Sequence, residues 1–247
     1  MTPPSATVPT ALDDNLAAYE STNPYDFDNG IVLTWYPQRV LQHAAGAGSL
    51  LELGVGHGHA TDAFARRFAR HVVLEGSPAV IANFRTRFPG CAAAITATFF
   101  ETFDTDERFD VITLGFVLEH VDDPAAILAR YRRFLAPGGR MFIAVPNAEV
   151  LNRRLGHIAG MLDDMTTLSD NDRRLGHQRY YTLAGLKAEI AGAGLRLKRV
   201  EGIYLKPFTS RQIVSLQLDA KLIEALCTVG IAYPELCCAI LAEASAS

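Results

Sequence analysis

The stretch Leu51-Glu52-Leu53-Gly54-Val55-Gly56-His57-Gly58 decides the fold of this chain. It joins an apolar run containing one acidic residue to three glycines, each separated from the next by a single residue. Glycine suits such a turn because the backbone can then adopt conformations that residues with a Cβ avoid. The missing side chains also let a ligand lie against the main chain, and the following helix offers N–H groups to a carboxylate. The stretch therefore predicts a strand, a glycine turn and a helix that together form a ligand site.

Short apolar runs alternate with amphipathic stretches along most of the remaining sequence. A parallel sheet with right-handed helical crossovers produces this alternation, so the sequence predicts a three-layer, doubly wound α/β fold. Ser77-Pro78 and Asp123-Pro124 each pair a capping side chain with a proline suited to the first turn of a helix. Predicted strands cover residues 48–53, 71–75, 91–98, 109–114, 140–145, 195–204 and 237–242; predicted helices cover residues 59–70, 182–193 and 211–230 and also start at Pro78 and Pro124.

The regular alternation stops after Pro146. Residues 147–175 are polar and irregular, with room for short helices, and they predict an insertion rather than another strand–helix unit. The pentapeptide Arg-Arg-Leu-Gly-His occurs twice, at 153–157 and 173–177. Two copies do not make a repeat architecture, so we interpret them as coincidence or as two similar helix ends capped by Gly156 and Gly176.

The composition of the 247 residues is that of an ordinary globular protein, with a formal net charge of −4. That charge provides no general attraction to nucleic acid or to anionic membranes. No apolar run approaches the roughly 18 residues that a membrane span needs. The first ten residues have neither a basic start nor an apolar run, so we interpret them as a disordered leader rather than a secretory signal and expect a cytoplasmic protein. The cysteines lack a C-x-x-C spacing, which predicts idle thiols in a reducing compartment: Cys91, Cys227, Cys237 and Cys238.

A second signal is Glu75, which ends the predicted strand 71–75. The carboxyl end of that strand should lie beside the glycine turn, where doubly wound folds bind their ligands. A carboxylate can accept hydrogen bonds from both hydroxyls of a ribose, so Glu75-Gly76-Ser77-Pro78 is a candidate ribose clamp. The alternative is an acidic residue that only stabilises the start of a helix through the helix dipole. A dinucleotide site would place glycine at position 59, and His59 there favours a ligand without phosphates.

Four segments between about residues 50 and 147 resemble class I S-adenosylmethionine-dependent methyltransferases: LLELGVGHGH at 50–59, VVLEGSP at 72–78, FDVITLGFVLEHVDDP at 109–124 and FLAPGGRMFIAVPN at 134–147. The last two are most similar to the subset that contains quinone-biosynthesis, sugar and natural-product methyltransferases. The resemblance implies a Rossmann-like fold with a mostly parallel seven-stranded sheet. It also implies S-adenosylmethionine as cofactor, S-adenosylhomocysteine as product, no metal, and a small-molecule acceptor that it does not identify.

By this resemblance, the glycine turn lies along the methionine part of the cofactor, Glu75 binds the ribose hydroxyls and Ser77 lies near the adenosine. Many members carry an aspartate before the fourth strand that binds the adenine amine, where this chain has Thr98-Phe99-Phe100-Glu101. In this chain, Thr98 or main-chain groups would replace that contact, and Phe99 would stack on the adenine ring. Gly115 and Phe116 would line the other side of the cofactor. The implied cofactor-binding residues are Tyr36, Glu52, Gly54, Gly56, Gly58, Glu75, Gly76, Ser77, Thr98, Phe99, Gly115 and Phe116.

The resemblance also divides the chain into functional segments. Residues 1–45 would form a leader and a cofactor lid. Residues 46–247 would form the methyltransferase domain, with an acceptor-binding cap inserted at about 147–181 and a helical insertion at about 207–235. Tyr36 and Arg39 are the candidates for contact with the methionine carboxylate. The aromatic residues that crowd the lid are interpreted either as lid or as core packing: Tyr19, Tyr25, Trp35 and Tyr36.

Two histidines are candidates for the acceptor end of the site, because imidazole titrates near neutrality and can take a proton as an acceptor attacks. His120 follows the fourth predicted strand, and we predict it as the catalytic residue. His177 lies in a polar-aromatic patch that we predict to bind the acceptor. Each of the two histidines could instead orient a loop. The predicted acceptor-binding residues are His177, Arg179, Tyr180 and Tyr181.

The predicted reaction is an in-line displacement in which an N, O or C atom of the acceptor attacks the sulfonium methyl, and the sequence leaves the atom open. A metal is not predicted, because His57 and His59 in the glycine turn have no further ligands nearby. Alternatives are an NAD-dependent oxidoreductase, which the glycine spacing disfavours, a non-catalytic partner subunit and, remotely, an aminopropyl transferase. The sequence also allows a homodimer.

Overall fold

A computed structural model describes residues 26–246 of the protein. Tyr19 and Tyr25, and with them most of the predicted leader, lie outside the described residues. Helices and strands follow one another in the order α1 (Asp26–His43), β1 (Ser49–Leu53), α2 (His59–Ala65), β2 (Arg70–Glu75), α3 (Pro78–Arg87), β3 (Ala94–Ala97), β4 (Phe109–Gly115), α4 (Pro124–Arg132), β5 (Leu135–Pro146), α5 (Leu151–Ile158), α6 (Asp170–Arg174), α7 (Leu183–Gly192), β6 (Leu195–Leu205), α8 (Ser210–Ser215), α9 (Ala220–Gly230), a short 3₁₀ helix (Pro234–Leu236) and β7 (Cys237–Ala246).

The strands form one seven-stranded sheet in the order β3-β2-β1-β4-β5-β7-β6. Strands β1 to β5 are parallel to one another, whereas β7 is antiparallel to both β5 and β6. The chain moves outward from β1 to β3 and then returns to place β4 on the other side of β1. Such a reversal opens a crevice at the carboxyl ends of the strands, where ligands of doubly wound folds bind. The predicted doubly wound, mostly parallel seven-stranded sheet is confirmed.

Two apolar layers cover the two faces of the sheet. Leu51 belongs to the layer that packs under α4 and α7, whereas its neighbour Leu50 belongs to the layer under α1 and α2. This division follows from the pleat, because successive side chains of a strand point to opposite faces. Both faces of a parallel sheet are covered, so the central strands are apolar along nearly their whole length. The three-layer arrangement holds the strand ends of the crevice in fixed positions.

The two predicted cap-and-proline signals begin helices in the structure. Ser77 Oγ accepts the N–H of Val80 at 3.1 Å, with Pro78 as the first residue of α3. Asp123 Oδ1 accepts the N–H of Ala126 at 2.9 Å at the start of α4. Each cap satisfies one of the N–H groups that a helix start leaves without a carbonyl partner.

Several predicted boundaries are wrong. The helix predicted at 59–70 ends at Ala65, because the chain must turn before β2. Strand β5 begins at Leu135 rather than Arg140, since its pairing with β4 starts early and then shifts register near the glycine pair that follows Pro137. The helix predicted at 211–230 is two helices, separated where Gln217 adopts a left-handed φ of +49°.

The repeated pentapeptide has two different structures. Its second copy ends α6, and Gly176 follows in the left-handed conformation with φ +77°, as predicted for a helix cap. Its first copy lies inside α5, so the predicted cap at Gly156 is wrong. The N–H of Ala159 still bonds to the carbonyl of Leu155 at 3.0 Å, and the left-handed glycine there is Gly160.

No helix among residues 26–246 is long and apolar enough to cross a membrane. The cysteines form no disulfide in that part of the chain, and Cys227 and Cys237 are buried. Burial raises the pKa of Cys227 to about 12 and, chiefly by the same cause, that of Cys238 to about 11. Thiols with such pKa values carry almost no thiolate near neutral pH, which agrees with the predicted idle role.

Candidate active site

A cavity of about 800 Å³ opens at the carboxyl ends of β1, β2 and β4. Its walls come from the glycine turn, the loops after β2, β3 and β4, helix α1, the insertion after β5 and the start of α8. The cavity therefore lies at the reversal in strand order, as the sequence predicts. Pockets of this size accommodate organic ligands with most of their surface buried.

The glycine turn adopts the backbone conformations that glycine alone adopts easily. Gly54, Gly56 and Gly58 have φ values of +78°, +50° and +82°. A Cβ on Gly58 would lie 2.6 Å from the ring of Phe84, whereas one on Gly56 would have no atom within 4 Å. Gly58 is thus required by packing on α3, and Gly56 keeps the cavity wall open where a ligand can approach the backbone.

Glu75 fixes the edge of this turn. Its carboxylate is buried and accepts the N–H of Val55 at 3.1 Å and the N–H of Ser77 at 2.8 Å. These bonds tie the end of β2 to the glycine turn on one side and to the start of α3 on the other. Glu75, Gly76 and Ser77 all border the cavity, where the sequence predicts the ribose clamp.

Glu52 borders the cavity but directs its carboxylate into the protein. One oxygen accepts the hydroxyl of Thr61 at 3.1 Å, and the other lies 2.7 Å from Nε2 of His71. Burial raises the pKa of Glu52, although the bonds from His71 and Thr61 oppose the rise. The carboxylate therefore braces α2 and β2 beneath the glycine turn. His71, for which the sequence shows no partner pattern, is its partner.

Tyr36 is buried at the floor of the cavity. A Cβ on Gly115 would lie 2.7 Å from its ring, and the Tyr36 ring meets the edges of Phe64 and Phe116 with centroids 6.1 and 5.9 Å away. Burial, reinforced by the charge of Glu52, raises the pKa of the Tyr36 hydroxyl well above its usual range. The tyrosine is therefore a fixed neutral wall between α1 and the end of β4.

Arg39, the other candidate on α1, does not reach the cavity. Its Nε donates to Glu201 Oε2 at 2.7 Å and its Nη2 donates to Glu201 Oε1 at 2.9 Å. Arg39 lies three residues after Tyr36 in α1, and its guanidinium lies over β6 because it pairs with Glu201 there. The predicted contact of Arg39 with a ligand carboxylate is wrong because this two-point pairing with a carboxylate occupies it.

The loops after β3 and β4 form two further walls. Thr98 and Phe99 follow β3, and the Phe99 ring is 47% exposed at the cavity edge. Phe116 follows β4 with a left-handed φ of +60°, which is strained for a residue with a Cβ. The Phe116 N–H donates to the carbonyl of Ala144 at 2.8 Å, and this bond holds the strained residue against the cavity.

A second set of polar groups lines the same cavity. Glu119 and His120 come from the loop after β4, and His177 comes from the insertion. The rings of His120 and His177 meet edge to face with centroids 4.7 Å apart, and a carboxylate oxygen of Glu119 and one ring nitrogen of each histidine lie within 4.8 Å of one another. Burial lowers the pKa of His120 to about 4.

Glu119 is the most buried residue of this set. Its side chain is 0% exposed, and neither carboxylate oxygen has a hydrogen-bond partner among the described residues. Burial raises the pKa of Glu119 to about 7, against a lowering influence from His177. A buried carboxyl group without partners is costly, so this position favours a ligand that brings hydrogen-bond donors.

Asp172 supports His177 from behind. One oxygen of Asp172 accepts the N–H of Ser169 at 2.8 Å and the hydroxyl of Tyr180 at 2.5 Å, and the other lies 3.3 Å from Nδ1 of His177. Burial would raise the pKa of Asp172, but the bonds from His177, Ser169 and Tyr180 outweigh it and hold that pKa well below its usual range. Asp172 is thus a fixed, ionised neighbour of His177.

Arg179 and Tyr181 turn away from the cavity, so the structure does not support their predicted contact with an acceptor. Arg179 donates to the carbonyls of Leu118 and Val121 at 2.9 and 2.5 Å, and Tyr181 is buried. This part of the chain is extended and Tyr181 bridges Asn147. Neighbouring side chains of extended backbone point to opposite sides, so Tyr180 faces the cavity and the flanking residues do not.

A third buried polar cluster in the cavity wall, formed by Asp28, Lys206 and Ser210, was not predicted from the sequence. Lys206 Nζ donates to Asp28 Oδ2 at 2.6 Å and to Ser210 Oγ at 2.9 Å, and Ser210 also hydrogen-bonds Asp28. All three residues are buried and border the cavity. They join α1, the end of β6 and the start of α8, which lie far apart in the chain and carry no common local pattern.

Comparison with known proteins agrees with this geometry. A family model described as a methyltransferase domain matches residues 28–200. The ubiquinone biosynthesis O-methyltransferase of Parvibaculum lavamentivorans is 32% identical over 174 residues, which are 68% of this chain and 67% of that protein.

Two solved structures show the same fold. The N-methyltransferase NodS from Bradyrhizobium japonicum WM9, in complex with S-adenosyl-L-homocysteine, matches with a TM-score of 0.60 and 17% identity over 94% of this chain and 96% of its own. The glycopeptide N-methyltransferase MtfA, complexed with S-adenosyl-L-methionine, matches with a TM-score of 0.57 and 16% identity over 87% of this chain and 94% of its own.

Proposed function

This chain belongs to the methyltransferase domain family, and we propose that it transfers a methyl group from S-adenosylmethionine to an amine or hydroxyl group of a small molecule. One observation carries the proposal. A single cavity is lined both by the glycine turn with Glu75 and by the Glu119, His120 and His177 set. We assign the first group to a cofactor end, where a ligand binds against the backbone, and the second group to an acceptor end.

The cofactor end fits S-adenosylmethionine residue by residue. The open backbone at Gly56 receives the methionine part, Glu75 binds the ribose hydroxyls, and Thr98 and Phe99 border the adenine. Gly115 and Phe116 close the opposite side above Tyr36. When bound, the cofactor supplies an electrophilic methyl group on a positively charged sulfur. The relatives named for ubiquinone, NodS and MtfA activities are also methyltransferases, and two of the solved structures hold the cofactor or its product.

The acceptor end is acidic, which indicates the class of acceptor. Asp28 Oδ1 and both oxygens of Glu119 are buried without hydrogen-bond partners among residues 26–246. Amine and hydroxyl groups can donate to such oxygens, whereas an acceptor carboxylate would repel them. The basic side chains in the cavity wall are Lys206, already paired with Asp28, and Arg153. This balance favours methylation of an amine or hydroxyl group over methylation of a carboxylate.

The chain contributes to the reaction chiefly by holding the two reactants. Tyr36, Phe116 and the insertion enclose the cavity, so the acceptor and the methyl group can meet at near-attack distance with water excluded. The insertion at 147–181 forms the acceptor side of that enclosure. An amine must arrive neutral or lose a proton, and a hydroxyl must lose one, so a base beside the acceptor accelerates either reaction. His120 and His177 both lie at this end.

The test is a transfer assay with S-adenosylmethionine labelled in its methyl group. The acceptor panel contains phenols and alcohols, primary and secondary amines, and aliphatic carboxylates of similar size. We expect labelled product from the first two classes and none from carboxylates. Calorimetry with S-adenosylhomocysteine and with NAD accompanies the panel. Binding of NAD in place of S-adenosylhomocysteine, or transfer to carboxylates alone, would overturn the proposal, and cofactor binding without any transfer would indicate a non-catalytic subunit.

A further inference from the structure

We propose that His177 is the general base of the transfer and that Asp172 is its positioning residue. The proposal rests on the function proposed above and adds to it a specific proton acceptor. It also reverses the roles that the sequence favours for His120 and His177.

The insertion builds a rigid support for His177 from its own residues. Asp172 is anchored at one oxygen by the Ser169 N–H and the Tyr180 hydroxyl. Its other oxygen lies 3.3 Å from Nδ1 of His177, which has no other partner among the described residues, so the two form an ion-pair contact and not yet an aligned hydrogen bond. The capping box between Ser169 and Asp172 begins helix α6, so the position of the carboxylate is set by local backbone structure. A carboxylate at Nδ1 favours the tautomer that carries its proton there, which leaves Nε2 as an acceptor.

The surroundings of the ring favour His177 over its neighbours as a base. The structure places the ring of His177 at the cavity wall beside Glu119 and His120 from the loop after β4, with Asp172 on α6 behind it. The negative charge of Asp172 beside the ring stabilises the imidazolium that forms. Among residues 26–246, no carboxylate forms an ion pair with His120, and burial lowers the pKa of His120 to about 4. Arg179 is held by carbonyl groups of the loop after β4.

The proposed step transfers one methyl group to the acceptor and one proton to His177. A lone pair on the acceptor oxygen or nitrogen forms the bond to the methyl carbon. The carbon–sulfur bond breaks with its electron pair remaining on sulfur, and S-adenosylhomocysteine is left neutral at sulfur. The proton of the acceptor passes to Nε2 of His177. Asp172 stays ionised throughout and keeps the ring oriented, and the proton later leaves to solvent.

The first experiment compares variants on acceptors of graded acidity. His177→Ala, Asp172→Asn and His120→Ala are assayed on a series of phenols or of amines, whichever class the wild-type protein methylates, with His157→Ala as the control. His157 lies in the same insertion, and its ring is exposed and contacts the carbonyl of Leu162. We expect kcat of His177→Ala to fall about 100-fold or more on weakly acidic acceptors, and much less on acceptors that ionise readily. Affinity for S-adenosylhomocysteine should change less than about threefold, and added imidazole should restore part of the rate.

Asp172→Asn should show the same dependence on acceptor acidity with a smaller loss, because the ring is then free to adopt the other tautomer. A loss that is equal on all acceptors and is not rescued by imidazole would mean that His177 only shapes the loop. An acidity-dependent loss in His120→Ala alone would make His120 the base. Loss of activity on treatment with a chelator, restored by Zn²⁺, would make the cluster a metal site. Each of these results overturns the proposal.

A second measurement does not depend on turnover. In ¹⁵N-histidine NMR of the complex with S-adenosylhomocysteine, the His177 ring is identified by its loss in His177→Gln. We expect its proton on Nδ1 and a bare Nε2, changing towards the other tautomer in Asp172→Asn. A proton on Nε2 in the wild-type protein would contradict the proposal, whereas absence of transfer to every acceptor with the expected tautomer present would contradict the proposed function instead.

Discussion

Alanine at Gly56 or Gly58 compares two neighbouring positions that have similar backbone conformations and different surroundings. Both glycines have positive φ, +50° and +82°, so a Cβ at either should cost about 1–2 kcal/mol of folding free energy. At Gly58 the added atom would also lie 2.6 Å from Phe84 and 2.7 Å from Phe88, and overpacking of this kind adds about 1–3 kcal/mol. At Gly56 no atom lies within 4 Å of the added Cβ, which borders the cavity.

From these magnitudes we expect Gly58→Ala to lose more stability and Gly56→Ala to lose more cofactor affinity. Since each kcal/mol shifts the melting temperature of a chain of this size by about 2–4 °C, Gly56→Ala should melt roughly 2–8 °C lower and Gly58→Ala roughly 4–20 °C lower. Binding of S-adenosylhomocysteine should instead suffer more in Gly56→Ala, by about tenfold or more, which corresponds to about 1.4 kcal/mol. Thermal unfolding and titration calorimetry measure the two effects. Normal affinity in Gly56→Ala, with Gly58→Ala no less stable than its neighbour, would refute the assignment of the cofactor to this turn.

Two further predictions concern acidic side chains. Glu75→Gln should weaken binding of S-adenosylhomocysteine by about 1.5–3 kcal/mol, the range for hydrogen bonds to a charged group, with Glu107→Gln as an exposed control; equal affinities in calorimetry would remove the ribose clamp. Burial raises the pKa of Glu201, but its bonds to Arg39 and His43 outweigh that effect and lower the pKa below its usual value. The stabilisation is therefore present above the unfolded-state pKa of about 4.3 and is lost as the pH falls through the folded-state pKa. Glu201→Gln should lower the melting temperature at pH 7 and converge with wild type in acid, and a gap that stays constant with pH would show that the charge of Glu201 contributes nothing.

The cofactor end of the site could be predicted because its signals are local. A few neighbouring residues are enough to recognise each of its parts: the glycine turn, Glu75 and the Ser77 cap. The fold then places these parts together at the strand ends. Left-handed φ values at Gly54, Gly56 and Gly58 are the direct structural form of that signal. The alternation of strands and helices predicted the sheet for the same reason, since one period of the pattern corresponds to one element.

The acceptor end could not be predicted in the same way, because its residues find their partners through the tertiary fold. Asp28 and Lys206 are 178 positions apart, and a buried ion pair of this kind has the same local sequence pattern as two surface charges. Arg179 was wrongly predicted to bind a ligand. A cation in a polar-aromatic patch suggests ligand binding, but carbonyl groups of the loop after β4 needed donors and occupy it.

The side-chain network around His177 could be predicted from the sequence only in part. Ser169 and Asp172 show the spacing of a capping box, which could have been recognised in the sequence. Nothing in that spacing reveals that the same carboxylate also faces an imidazole and a tyrosine hydroxyl. Those contacts require the insertion to fold back over the loop after β4, and irregular segments fold according to what they pack against.

The place of β7 between β5 and β6 has a consequence for how the nascent chain folds. Strands β1 to β5 can pair in nearly the order in which the ribosome releases them, so the cofactor end of the cavity can form early. Strand β6 has no neighbour in the sheet other than β7, and it emerges about thirty residues before that neighbour, an interval that synthesis at about 5–20 residues per second turns into seconds. During that interval β5 and β6 both present open edges, which are the part of a sheet most exposed to pairing with other chains. Pairing of Cys237–Ala246 covers the free edge of β5 and one edge of β6 at once, so this single strand removes much of the exposed sheet edge that could pair with other chains.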